Sequence, residues 1–95
     1  MPARMETVRL IVTGRVQGVG YRLWTTCIAA RIGLRGWVRN RADGSVEALV
    51  TGPLEAVEAI VEASREGPYG ARVTDVTVTP RRDDGSIGFT ARRTE

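Results

Sequence analysis

The residues most able to do chemistry lie in a glycine-rich segment, Gly14-Arg15-Val16-Gln17-Gly18-Val19-Gly20-Tyr21-Arg22. Alternating apolar residues before it predict a strand from Val8 to Thr13, and the pattern after it predicts a helix from Tyr21 to Ile32. Glycines at such a junction let backbone N–H groups converge without interference from Cβ atoms. The helix N-terminus adds unpaired N–H donors and the positive end of its dipole. Together with the Arg22 guanidinium, the segment could hold an anion.

The same segment also allows a simpler interpretation, in which it is a tight strand–helix connection and Arg22 is solvated. The residues alone do not decide between these two readings. The segment is not a Walker loop, because no Gly-Lys-Ser/Thr ends it, and no G-x-G-x-x-G dinucleotide pattern is present.

Asn40 is the second candidate, at the end of a strand predicted from Leu34 and just before a predicted turn at Ala42-Asp43-Gly44-Ser45. An asparagine in this place is typical of a turn residue that bonds to its own backbone, and taken alone Asn40 favours that role. Its carboxamide can also accept a hydrogen bond from a water molecule and donate one to it.

Composition limits the chemistry. The 95 residues include no histidine, so the most common general base and metal ligand is missing, and Cys27 is the only cysteine. All 14 basic residues are arginines, scattered among 11 acidic ones for a net charge of +3, which does not favour a nucleic-acid partner. The polar start, Met1 to Glu6, and the lack of a long apolar run predict no signal peptide and no contact with a membrane. We therefore expect a cytoplasmic protein.

The remaining patterns predict one domain, residues 1–95, of the α+β class. Further strands are predicted at Val46 to Thr51, Val73 to Thr79 and Ile87 to Ala91, and a second helix runs from Pro53 to Gly67-Pro68. The order is βαββαβ with a short extra strand. This order predicts a ferredoxin-like α/β sandwich, an antiparallel sheet of four to five strands with both helices on one face.

Two groups of side chains are predicted to have structural rather than chemical roles. Trp24 and Cys27 sit beside the apolar stripe of the first helix, so both are predicted to pack in the core. Arg81, Arg82, Arg92 and Arg93 flank a predicted last hairpin and are expected to form a solvated edge.

The segment GRVQGVGYR, followed by GWVRN, is similar to the signature pair of the acylphosphatase family, and the similarity extends over about Val8 to Ala91. The resemblance implies hydrolysis of the carboxyl–phosphate bond of acyl phosphates by direct attack of water, without a metal or cofactor. The family's catalytic arginine and asparagine fall on Arg22 and Asn40, and Thr25 matches a supporting threonine. The phosphate would bind backbone amides of Arg15, Val16, Gln17, Gly18, Val19, Gly20 and Tyr21. Inorganic phosphate and other anions are expected as product or inhibitors of a monomeric enzyme.

A binding module is the main rival, because fold does not decide function. An RNA-recognition domain would carry stacking aromatics on its third strand, and Val46 to Val50 has none. A regulatory anion-binding domain would keep the loop without requiring Asn40. The chain could also be the acylphosphatase-like part of a larger carbamoyl-transfer protein, but no zinc-ligand cysteines follow, so a stand-alone enzyme is preferred.

Overall fold

The structure, a computed structural model, describes residues 4–95 as a single sheet with two helices. The elements follow the predicted order and are, along the chain, β1 (Met5–Arg15), α1 (Tyr21–Arg31), β2 (Arg35–Asn40), β3 (Val46–Pro53), α2 (Leu54–Glu66), β4 (Arg72–Pro80) and β5 (Phe89–Ala91). The strand order is β4-β1-β3-β2-β5. Helix α1 contacts β2 and β5, and α2 contacts β1, β3 and β4. The predicted ferredoxin-like sandwich is confirmed.

Strand β5 departs from the prediction of a last hairpin. Strands β4 and β5 lie at opposite edges of the sheet, so residues 81–88 carry the chain from one edge to the other. Strand β5 pairs with β2 in parallel, with Phe89 opposite Gly36, and the sheet is therefore mixed. The hairpin prediction was wrong because β5 pairs with the outer edge of β2, which would otherwise have no partner strand. The half-buried Phe89 of β5 also packs against the core there.

The core lies between the helices and one face of the sheet. Alternate residues of the central strands supply it, among them Leu10, Val12 and Val50, each at most 2% exposed. Helix α2 presents Val57, Ile60 and Ser64 to the sheet, as its apolar pattern predicts.

Helix α1 buries Tyr21, Thr25 and Ala29, which follow one another at four-residue spacing on one face. Trp24 is half-buried and packs against the core, as predicted. Cys27 is exposed, so its predicted packing was wrong. It lies two positions from both Thr25 and Ala29, and two residues along an α-helix turn the side chain to the opposite side.

The sheet face away from the helices carries a charged cluster. The Glu47 carboxylate, itself buried, accepts hydrogen bonds from Nε of Arg9 and Nε of Arg39, each at 2.7 Å. Burial alone would raise the pKa of Glu47, but the two guanidinium groups outweigh it and hold that pKa below its usual value. The four arginines predicted as a solvated edge are exposed, and the Arg92 guanidinium also lies over the Trp37 ring, 4.6 Å from its centroid.

Replacing Glu47 with glutamine is expected to lower the free energy of unfolding by about 2 kcal/mol near neutral pH. This loss of stability is smaller than the loss expected on breaking a fully buried ion pair, because both arginines are partly exposed to solvent. Since the folded-state pKa is lowered, the stabilisation is present above the unfolded carboxyl pKa of about 4.3 and is lost as the pH falls through the folded-state value.

Urea titrations of the wild type and Glu47→Gln, at neutral pH and in acid, measure this effect. The difference between the two proteins should shrink in acid. The matched control is Glu62→Gln, on the exposed face of α2, which should change stability by no more than about 0.5 kcal/mol. A difference that is the same at both pH values would contradict the assignment of the stabilisation to the ionised carboxylate.

Candidate active site

The loop between β1 and α1 is held by its apolar side chains and leaves its glycines exposed. Val16 is 1% exposed within the core, and Val19 packs partly buried against it. Gly18 and Gly20 are exposed and adopt positive φ angles of 77° and 79°, a conformation that other residues rarely adopt. The side chains of Val16 and Val19 therefore anchor this loop to the core, while Gly18 and Gly20 leave parts of it exposed to solvent.

Helix α1 begins directly after Gly20 with no cap from a side chain. Its first hydrogen bond to the loop runs from the N–H of Trp24 to the carbonyl of Gly20, so the preceding N–H groups of the first turn have no partner within the helix. No acidic residue occupies that turn to balance the dipole. The arrangement is one that favours an anion at the helix start.

Arg22 is the second residue of α1 and therefore lies in this first turn. Its Nη1 donates a hydrogen bond of 3.0 Å to the carbonyl oxygen of Arg92, just after β5. This bond orients the guanidinium from outside the helix, and it uses only one of the five N–H donors that an arginine offers. A planar group held in this way can address two oxygens of a phosphoryl group at once.

Asn40 reaches the same place from β2. It pairs with Val46 of β3 as the last residue of its strand, and its carbonyl accepts a 3.1 Å hydrogen bond from the N–H of Glu95. The turn that follows is the predicted one. Asp43 accepts hydrogen bonds from both the N–H and the hydroxyl of Ser45, and Gly44 has a φ of 94°.

Arg22 and Asn40 line one open cleft of about 380 Å³. Val16, Gly18, Gly20 and Tyr21 also line it, and none of the described residues around it is acidic. The structure therefore brings together the two side chains that the sequence singled out and much of the loop between them. The cleft combines the uncapped start of a helix, one guanidinium and one carboxamide.

Other predicted site residues lie outside this lining. Arg15 is exposed at the end of β1, opposite Arg72, and Val19 points toward the core. Thr25 is buried, and its hydroxyl donates a 2.8 Å hydrogen bond to the carbonyl of Tyr21 within the helix. Gln17 sends its side chain away to the β2–β3 turn.

Tyr21 belongs to the lining, but its hydroxyl is already occupied. It donates a 2.6 Å hydrogen bond to the carbonyl of Ser64 in the interior. Burial raises the pKa of Tyr21 to about 12, although the bond to Ser64 acts in the opposite direction. The phenol is therefore neutral near physiological pH, and its O–H is not free to donate to a ligand in the cleft.

Sequence reasoning missed three lining residues, Leu23, Thr26 and Ala91. Thr26 follows Arg22 by four positions, so the helical period could have placed it on the same face. Its hydroxyl donates to the carbonyl of Arg22 at 2.8 Å. The contacts from Arg92 and Glu95 gave no signal in the sequence, because each involves a backbone atom of that residue.

Two general features bear on what this site can contain. Within residues 4–95, no group of three or more histidine, cysteine, aspartate or glutamate side chains is arranged to hold a metal ion. Over the same part of the chain, neither helix is long and apolar enough to cross a membrane.

Fold and cleft together define a ferredoxin-like sandwich with a cleft at a strand–helix junction whose geometry suits an anion. The acylphosphatase family model matches residues 8–91. The acylphosphatase of Rhodospirillum rubrum is 52% identical over 88 residues, covering 93% of this chain and 97% of that protein. That of Acidiphilium cryptum is 52% identical over 90 residues, covering 95% and 99%. The crystal structure of acylphosphatase from Bacillus subtilis superposes with a TM-score of 0.88 at 42% identity, covering 94% and 99%. This chain belongs to the acylphosphatase family and is a hydrolase.

Proposed function

We propose that this protein hydrolyses acyl phosphates to a carboxylate and inorganic phosphate, with Arg22 and the 15–21 loop holding the phosphoryl group and Asn40 positioning the water. The observation that carries the proposal is that Arg22, the loop glycines and Asn40 line one cleft. Family membership supports the substrate class. The geometry supports the separate roles of the two side chains.

The phosphoryl group binds at the start of α1, where uncapped N–H groups and the helix dipole favour negative charge. Arg22 adds a permanent positive charge, and its planar N–H donors match the oxygens of a phosphoryl group. In phosphoryl transfer the charge is spread over three equatorial oxygens, so donors arranged in advance around them stabilise the transition state.

Asn40 approaches from the sheet rather than from the loop, and this separation suits a water molecule aimed at phosphorus. The water oxygen forms a new bond to phosphorus as the bond to the carboxylate oxygen breaks, and the carboxylate leaves with that electron pair. The proton lost from water goes to a phosphoryl oxygen or to solvent, since no described residue lining the cleft is a carboxylate. The carboxamide orients the water by accepting one of its protons in a hydrogen bond and donating in turn.

The proposal includes no cofactor or metal, and it makes inorganic phosphate both product and competitive inhibitor. The groups assigned a role all address the phosphoryl end, so we propose broad tolerance toward the acyl group. We also propose that the protein is a monomer and acts in the cytoplasm. A chain of 95 residues is large enough to bury a core of its own.

The test is hydrolysis of benzoyl phosphate by the purified protein in the presence of excess EDTA. We expect turnover well above the spontaneous rate, and competitive inhibition by inorganic phosphate. An inert protein that still binds phosphate would overturn the enzymatic assignment in favour of an anion-binding module. Activity that vanishes with EDTA and returns with a metal ion would overturn the metal-free mechanism.

A further inference from the structure

Gln17 is the one residue of the loop whose side chain is bonded to the hairpin that carries Asn40. Its Nε2 donates two hydrogen bonds, of 2.8 Å to the carbonyl of Arg41 and of 2.9 Å to the carbonyl of Ser45. Both bonds are at least partly shielded from solvent. The acceptors are the two residues that open and close the turn after β2. The side chain therefore connects the loop to the end of the strand on which Asn40 lies.

The chemistry of the contact determines which way the carboxamide faces. Both acceptors are carbonyl oxygens, so only the NH₂ end of the amide can meet them, and both of its protons are used. Glutamate of the same length has no donor there when ionised, and methionine fills similar space without a hydrogen bond. The contact thus requires a side chain that can donate two N–H hydrogen bonds, which the primary amide of Gln17, the only glutamine in the sequence, does without a charge.

The turn itself uses the same two carbonyls. The N–H of Arg41 donates to Ser45 at 2.8 Å, and the N–H of Gly44 donates to Arg41 at 3.1 Å. Each carbonyl has a second lone pair, and Gln17 occupies it. The side chain therefore lies across the mouth of a turn that is already closed, one residue beyond Asn40. Such a contact adds little to the folding of the turn but ties its position to the loop.

We propose that the Gln17 side chain is a positioning group that holds Asn40 at a set distance from the phosphate-binding loop. This inference rests on the proposed function, in which the loop holds phosphorus and Asn40 holds the water. The two parts of the site come from different elements, and the loop contains two left-handed glycines that leave its backbone adaptable. In-line attack needs the two parts in register, and a displacement of about 1 Å can cost a factor of about 100 in rate.

The kinetic test compares the wild type with Gln17→Met and Gln17→Glu in benzoyl phosphate hydrolysis. Both variants should lower kcat by about 10- to 100-fold while the inhibition constant of inorganic phosphate changes little, because the loop amides and Arg22 stay in place. The matched control is Thr13→Val, which removes a side-chain hydrogen bond near the exposed end of β1 and should leave kcat unchanged. Wild-type kcat in both Gln17 variants would overturn the inference.

A double-mutant comparison with Asn40 distinguishes a positioning role of Gln17 from a general effect on stability. In an Asn40→Ala background, Gln17→Met should cause almost no further loss of kcat, because the group that it positions is gone. An equal loss in both backgrounds would show that Gln17 acts on something else and would overturn the proposal.

An NMR measurement tests the two hydrogen bonds from Gln17 to the turn, which we call the Gln17 tether, and it does not require enzymatic activity. Gln17 and Asn40 carry the only two side-chain carboxamides in the sequence, so the ¹⁵N–¹H spectrum contains just two pairs of carboxamide NH₂ signals. The Asn40 pair should shift in Gln17→Met, and in the wild type the Gln17 protons should exchange slowly with solvent. Unchanged Asn40 signals, or rapid exchange of both Gln17 protons, would overturn the inference even if the wild type proved inert. The exchange measurement needs only the wild type, so it stands if a variant fails to fold.

Discussion

Replacing Arg22 with alanine is expected to lower kcat/KM by about 1,000-fold or more and to weaken inorganic phosphate binding at the same time. Arg22 lies in the first turn of α1 and lines the cleft, and in the proposed mechanism its guanidinium binds the phosphoryl group in both the ground state and the transition state. It is the one cationic side chain among the described residues that line the cleft. Benzoyl phosphate hydrolysis gives the rate, and competition by phosphate gives the affinity.

Two further variants sharpen this prediction. Arg22→Lys keeps the charge but not the planar fork, so it should recover phosphate affinity more than turnover. Arg31→Ala removes an exposed arginine from the far end of the same helix and should leave both quantities near wild type. Arg22→Ala also loses the bond to the Arg92 carbonyl, so its unfolding should be measured in parallel. An Arg22→Ala protein that is folded and retains wild-type phosphate affinity would refute the role of Arg22 in binding.

Replacing Asn40 with alanine is expected to lower kcat by about 100- to 1,000-fold and to leave the inhibition constant of phosphate nearly unchanged. The reason is that, in the proposed mechanism, the carboxamide contacts the water and not the phosphoryl group, so its contribution is made mainly in the transition state. A variant that loses kcat and retains ligand affinity has this kinetic signature.

Asn40→Asp is the informative partner of that variant. It preserves the shape of the side chain and can still accept a hydrogen bond, but it brings a negative charge toward the phosphoryl group and should weaken phosphate binding. Full activity in Asn40→Ala would contradict the water-positioning role. A parallel loss of phosphate affinity in Asn40→Ala would instead assign the carboxamide to the phosphate.

Most of the fold could be predicted from the sequence because the periodic patterns of apolar residues are strong. The alternation in β1, the apolar stripe of α2 and the Asp-Gly turn each predicted the element that the structure contains. The predictions that were wrong concern features that the local sequence pattern does not determine. Strand β5 joins β2 across the sheet, and no local pattern states which edge a short strand will choose. Cys27 looked like a core residue because it is apolar, but its position on the helix exposes it.

The candidate site could be predicted from the sequence less completely than the fold. From physics alone, the glycine spacing before a helix allowed either an anion site or a tight connection, whereas Asn40 alone looked like a turn residue. Only its pairing with Arg22 in a family signature gave it a chemical role, and the structure places both in one cleft. The Gln17 tether and the Arg92 contact could not have been predicted, because their acceptors are backbone carbonyls that any residue type supplies.

The hydrogen bond from Arg22 to the Arg92 carbonyl joins residues that are 70 positions apart. A ribosome releases the loop, α1 and Asn40 long before it releases β5, so a nascent chain contains the binding groups early without the contact that orients the guanidinium. Phosphate affinity should therefore increase only when the last strand pairs with β2. On the proposed function, phosphate binding would report completion of the fold, and bound phosphate would in turn favour the fully assembled chain over partly folded ones.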